Sequence, residues 1–275
     1  MLTERTFDTG AVALNYAEGL KSGPPLVLLH GVTSRWQVFL HLIPTLLPRW
    51  HVVAVDLRGH GKSGRVPGHY GVMDYAEDVL ALIRHLDAGP AAVLGHSLGA
   101  MVTIGAAAEA PELVRAAILE DPPLGAFQEM PFTQRPEHDG FVATRNLVRE
   151  GLPPDELARR ILAGPGPNDA LAARLRAASL SQIDADVLTF IIENRAIVGF
   201  DLADRLRRVA CPTLLFQGNP ELGGALSDAE ADWAMTLLAT GFLVRMPGAG
   251  HFLRLSPGLE ANRFAQATVG FLETV

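Results

Sequence analysis

Residues 91–100, Ala-Ala-Val-Leu-Gly-His-Ser-Leu-Gly-Ala, constrain the fold more than any other stretch of the chain. The first four are an apolar run of strand type, and the small-residue segment 100–110 that follows has helical composition. Between them Gly95-His96-Ser97-Leu98-Gly99 fits the pattern Gly-x-Ser-x-Gly. A turn joining strand to helix in so few residues is expected to be tight enough that side chains at 95 and 99 would collide with Ser97. It would hold Ser97 strained at its tip, with the hydroxyl exposed beside a helix N-terminus. Five-residue patterns recur by chance, so the neighbouring segments decide what this one means.

Those neighbours repeat the same logic. Residues 6–8 and 11–16 flank Thr9-Gly10 and predict an opening hairpin. Short apolar runs at 26–29, 52–55 and 116–119 read as strands buried on both faces. Helical periodicity separates them, clearest in Tyr75, Val79, Leu82, Ile83 and Leu86. Strand and helix thus alternate four times, which predicts a parallel sheet with helices on both faces. Ligand-binding residues in such sheets lie beyond the carboxyl ends of the strands. His30, Asp56, Ser97 and Asp121 all fall there.

From 124 to about 206 no buried strand pattern appears, and helical periodicity dominates around 141–150, 155–162, 170–180 and 187–197. We expect a helical cap at 122–208, inserted into a core of 1–121 and 209–275. Phe127, Met130, Phe132, Phe141 and Phe190 are expected to supply an apolar underside facing Ser97. The sheet resumes at 213–216 and ends at 242–246, followed by Pro247-Gly248-Ala249-Gly250-His251 and a closing helix.

Composition narrows the partners. A net charge of −7 without a basic stripe argues against nucleic acid. No apolar run approaches the roughly 20 residues needed to cross a bilayer, so no membrane association is expected. The start of the chain lacks a basic-then-apolar signal pattern, which leads us to expect a cytoplasmic protein. Cys211 is the single cysteine and reads as a buried core residue. No His or Cys spacing suggests a metal site, and no cofactor is expected.

Taken together, His30-Gly31, Asp56-Leu57-Arg58-Gly59-His60-Gly61-Lys62-Ser63, Gly95-His96-Ser97-Leu98-Gly99 and Gly248-Ala249-Gly250-His251 resemble the α/β-hydrolase superfamily. The resemblance covers nearly the whole chain outside the expected cap. It implies an eight-stranded, mostly parallel sheet and a triad in the order Ser, Asp or Glu, His. Ser97 is the candidate nucleophile and needs an adjacent base. His251, on its glycine-bracketed loop after the last strand, is the best of nine histidines for that task. Backbone N–H groups of Val32 and Leu98 are the candidate oxyanion hole. His30, His60 and His96 read as structural, and His41, His51, His69, His85 and His138 as surface or half-buried groups.

The acid has three candidates. Glu221 lies after the strand before the last, the commoner placement in the superfamily. Asp121 lies 24 residues after Ser97, the separation found in relatives that use the other placement. Glu120 is the third, although adjacent strand residues face opposite sides. We prefer Asp121.

A serine at the elbow implies acyl transfer, since relatives that displace at carbon use an aspartate there. The leading expectation is a serine carboxylesterase or lactonase acting on a small apolar substrate. A carbon–carbon hydrolase of vinylogous diketones is the main alternative, and a carboxylate-holding arginine would favour it. Arg145, Arg149 and Arg195 are equally well explained as surface charges. A cofactor-free perhydrolase and a triad-retaining ligand receptor are further alternatives, and the oligomeric state is left open.

Overall fold

A computed structural model describes residues 2–127, 132–164 and 169–275, with the side chains of 126 and 127 also outside the description. Eight strands form one sheet: β1 (Thr3–Asp8), β2 (Ala13–Glu18), β3 (Pro25–Leu29), β4 (His51–Val55), β5 (Ala91–His96), β6 (Val114–Glu120), β7 (Thr213–Gly218) and β8 (Gly241–Met246). Their order across the sheet is β1-β2-β4-β3-β5-β6-β7-β8. The opening hairpin pairs antiparallel, with Thr3 opposite Glu18, and β2 is antiparallel to β4. From β4 to β8 every pair is parallel. The expected strands are thus all present, most of them extended by one to three residues, with β2 shifted two residues toward the C-terminus.

Burial on both faces explains why β3, β4 and β5 are almost wholly apolar. Alternation divides their side chains between two cores. Val27, Leu29, Val53, Val55 and Val93 face α2 (Val72–Leu86) and α3 (Leu98–Glu109). Leu26, Leu28, Val52, Ala54 and Leu94 face the other side. There Trp36, Phe39 and the single-turn α1 (Ile43–Leu46) meet the C-terminal helix through Phe264 and Phe271. The connection from β3 to β4 is thus built of two short pieces, a 3₁₀ turn at Trp36–Phe39 and then α1. α3 is the most deeply buried helix because its residues are small: Gly99, Ala100, Gly105 and Ala106 let its backbone lie close to the sheet.

Between β6 and β7 the described elements are helical: α4 (His138–Arg149), α5 (Pro154–Ala163), α6 (Ala170–Leu180), α7 (Ala185–Ile192) and α8 (Leu202–Arg208). α4 packs on α7, and α5 on α6. α7 is tied to the loop after β4, where Tyr70 Oη donates to Asp184 Oδ2 at 2.7 Å and Asp184 N to the Gly59 carbonyl at 2.8 Å. α8 behaves differently, since it packs against α3 and against α9 (Asp228–Leu237). It is the helix that carries the chain back along the sheet to β7, which a parallel β6–β7 pair requires. α10 (Leu259–Leu272) closes the chain. Among the described residues no helix is long and apolar enough to cross a membrane.

Candidate active site

Ser97 sits between β5 and α3 at φ 54°, ψ −116°, a region that L residues rarely occupy. The glycines around it are needed for a reason other than the expected one. A Cβ on Gly95 would strike the carbonyl of Gly99, and one on Gly99 would strike the carbonyls of Leu29 and His30 at the end of β3. The clash is with neighbouring backbone rather than with Ser97 itself. Gly31 is the residue that must be bare against Ser97, since a Cβ there would lie 3.0 Å from the Ser97 Cβ.

His251 and Asp121 meet at these strand ends. His251 Nδ1–H donates to Asp121 Oδ2 at 2.7 Å, which leaves Nε2 as the ring nitrogen not engaged by the carboxylate. Asp121 is fully buried, and Gly218 N–H and Ala225 N–H donate to its two oxygens at 2.9 and 2.7 Å. Among the described residues no hydrogen bond joins Ser97 Oγ to His251 Nε2, a contact that often tightens only with substrate present. Both residues line one cavity of about 470 Å³.

The other two acid candidates go elsewhere. Glu221 is exposed, on a 3₁₀ turn whose backbone is capped by Asn219 Oδ1 at 2.9 Å. Glu120 points to the opposite side of the strand end from Asp121 and pairs with Arg254 Nη1 at 2.5 Å. Burial pushes the Glu120 carboxyl up, against the pull of Arg254.

The histidines are resolved by their hydrogen bonds. His30 Nε2 accepts from Leu57 N–H at 3.1 Å, so its Nδ1 carries the proton and donates to the Gly31 carbonyl at 2.8 Å. With the Gly31 carbonyl turned toward His30, the planar peptide points the Val32 N–H the other way. Burial lowers His30 to about 4 and His60 to about 3, so both are neutral. His96 Nε2–H donates to the backbone carbonyl of His251 at 3.0 Å. Burial holds His96 well below its ordinary value, with Arg254 adding to the effect. His51 corrects the sequence reading: it is fully buried and bonded to Glu18 at 2.8 Å, not a surface group.

Val32 and Leu98 both line the cavity, as do Thr33, Phe132, Phe141, Ile191, Ile197 and Phe252. Phe132 and Phe141 pack edge to face at 5.2 Å. Phe190 instead packs on Tyr70 and beneath the Arg195 guanidinium, joining the insertion to the core. Met130 and the Phe127 side chain lie outside the described residues. Arg149 reaches Thr189 Oγ1 at 3.3 Å. The arginine that sequence reasoning missed is Arg135, which lines the cavity with Glu137 3.7 Å from its Nε. Asp56 is structural, accepting from Trp36 N, Asn15 Nδ2 and Lys62 N. Cys211 is buried and its thiol pushed up to about 11. Among the described residues no group of His, Cys, Asp and Glu side chains is placed to hold a metal ion.

Ser97 in its rarely occupied backbone conformation and His251 bonded to Asp121 thus stand at the ends of parallel strands, around one cavity that Val32 and Leu98 also line. A family model described as the alpha/beta hydrolase fold matches residues 24–255, and the chain belongs to that family. It is 33% identical over 256 residues to the 2-(acetamidomethylene)succinate hydrolase of Mesorhizobium japonicum, covering 90% of this chain and 88% of that one. A crystal structure of E-2-(acetamidomethylene)succinate hydrolase superposes with a TM-score of 0.78 at 28% identity, covering 99% of this chain and all of that one. The enol-lactonase of Burkholderia xenovorans shares the fold, with a TM-score of 0.77 at 20% identity over 98% of this chain and all of that one. The protein is a hydrolase of this family.

Proposed function

We propose that the protein is a serine hydrolase that cleaves a small carboxylic ester or lactone through an acyl-enzyme. The observation that carries this reading is the 2.7 Å bond from His251 Nδ1 to buried Asp121, beside Ser97 in a single cavity. Ser97 Oγ attacks the substrate carbonyl while His251 Nε2 takes its proton. Asp121 holds the tautomer and stabilises the imidazolium. The N–H groups of Leu98 and Val32 receive the developing oxyanion. The leaving group departs with the proton from His251, and water repeats the sequence to release the acid. No cofactor enters the scheme, and a small molecule is the only partner it requires.

We further propose that the cap comprises residues 122 to about 200. α8 would then belong to the core, since it packs on α3 and α9.

Arg135 supports a second reading. Arg135 could exchange its partner Glu137, also in the cavity lining, for a substrate carboxylate, and the Mesorhizobium relative is named for hydrolysis of a substituted succinate. The discriminating experiment is a substrate panel: short p-nitrophenyl esters, lactones, vinylogous diketones and 2-(acetamidomethylene)succinate. Ester or lactone turnover that is lost in folded Ser97→Ala supports the first reading. Turnover of the succinate alone, lost in Arg135→Gln, replaces it with the second. Ordinary turnover by folded Ser97→Ala overturns the serine mechanism.

A further inference from the structure

Glu120 is joined to both sides of the site. Its carbonyl accepts from Ser97 N–H at 3.0 Å, and Asp121 follows it directly. Its carboxylate reaches across to the loop that carries His251. There Oε2 meets Arg254 Nη1 at 2.5 Å, and Oε1 accepts from the Arg254 backbone N–H at 3.2 Å. Glu120 therefore grips main chain and side chain together, three residues beyond His251. Arg254 Nε also reaches the Val38 carbonyl at 3.4 Å, and its guanidinium lies 4.8 Å from the centre of the Phe39 ring. Both side chains are out of solvent, at 0% and 1% exposure.

A buried pair of this kind is a poor source of net stability, because desolvating two charges offsets their attraction, and well-packed apolar replacements are often as stable. What the pair does supply is geometry. The His251 loop carries Gly248 and Gly250 on its N-terminal side, where the backbone has the most conformational freedom to lose. On its C-terminal side it is fixed at Arg254 by Glu120. One dipeptide, Glu120-Asp121, thus holds both the ring of His251 and the backbone leading away from it. His96 completes the grip by donating to the His251 carbonyl.

We propose that Glu120 and Arg254 are a positioning pair that sets where His251 Nε2 stands relative to Ser97, an inference that rests on the serine-hydrolase reading above. Neither side chain touches the reacting atoms. Their effect passes through the loop.

The test compares wild type with Glu120→Gln, Arg254→Lys and the apolar pair Glu120→Leu/Arg254→Met. Three quantities are read: thermal midpoint, kcat and KM on the best ester, and the rate of Ser97 labelling by a fluorophosphonate. The apolar pair is expected to keep the wild-type midpoint to within a few degrees. Its kcat and labelling rate should fall about 10- to 100-fold, with KM changed by less than about threefold, as displacement of a reacting group would give. A purely structural pair would move the midpoint and leave the rates of the folded fraction alone. Wild-type kcat and labelling in the folded apolar pair would therefore overturn the proposal. Arg254→Lys keeps the buried charge and carries the same test if the apolar pair does not fold. Failure of the wild-type protein to label at Ser97 would refute the underlying serine reading instead.

Discussion

Replacing Asp121 with asparagine removes little volume but one acceptor, and the surrounding donors make that loss severe. Three N–H groups point at the carboxylate: Gly218 N at Oδ1, and Ala225 N and His251 Nδ1 at Oδ2. An amide offers one oxygen. If that oxygen serves Gly218, the NH₂ confronts Ala225 N–H and can bond His251 only when Nδ1 is the acceptor. The ring proton then sits on Nε2, and the imidazole cannot take the proton from Ser97. If the amide is reversed, His251 keeps its tautomer but Gly218 N–H is left unpaired and the imidazolium has no counter-charge. Either way one buried donor is orphaned, which costs about 1–3 kcal/mol of stability. Loss of the correct tautomer is expected to lower kcat about 10⁴-fold, equivalent to about 5.5 kcal/mol in the barrier. Urea unfolding and steady-state kinetics on a p-nitrophenyl ester, run on folded Asp121→Asn, measure both quantities. Glu221→Gln, at an exposed residue with no hydrogen bond to the ring, is expected to change kcat less than about twofold. A folded Asp121→Asn with kcat within tenfold of wild type would refute the reasoning, as would a larger loss in Glu221→Gln.

Other outcomes can be checked as directly. The buried neutral histidines predict acid sensitivity. Their folded values lie below the unfolded value near 6.5, so the stability they allow is present above that pH. It is lost as pH falls from about 6.5 toward about 4 for His30 and about 3 for His60. His30 alone corresponds to about 3 kcal/mol over that window, so a urea midpoint that is flat between pH 6.5 and 5 would contradict it. Gly99→Ala is expected to destabilise the protein by several kcal/mol, because its Cβ would meet backbone oxygens of β3 that cannot move aside. A circular-dichroism melt reads that loss. Phe132→Ala and Phe141→Ala are expected to raise KM for apolar acyl groups more than for acetyl esters, since each ring lines the cavity.

The strands were legible because burial on both faces leaves a continuous apolar run, as in Leu26-Val27-Leu28-Leu29. Ser97 and His251 were legible because glycines bracket them where the backbone must turn sharply. The pairing of Asp121 with His251 was only a preference, because it depends on how the β8 loop approaches β6 across β7. Glu221 has the same charge and an equally suitable loop in the sequence, and only the three-dimensional approach of His251 to Asp121 separates the two. Arg135 carried no sequence signal, since arginines are common between helices. Arg254 did carry one: it is a single charge in the apolar run Phe252-Leu253-Arg254-Leu255. α8 shares the helical periodicity of its neighbours between β6 and β7, so periodicity could not show that it packs on α3 and α9. His51 was misjudged because β4 begins one residue earlier than its apolar run.

Five non-glycine residues among those described have positive φ; Thr33 at 65° and Ser97 at 54° line the cavity, and Asp121 at 46° holds the ring of His251 beside it. Each such residue raises the free energy of the native state by about 1–3 kcal/mol relative to a glycine in the same place. At Ser97 the backbone would thus welcome a glycine that the proposed serine chemistry forbids. Selection for durability alone would then erode this position first. Lineages of this fold that abandoned hydrolysis would be expected to drift toward glycine at the elbow, becoming harder to melt as they lose their activity. On the serine reading, the strained residue is retained at a cost in robustness that the architecture around it would be spared by a glycine.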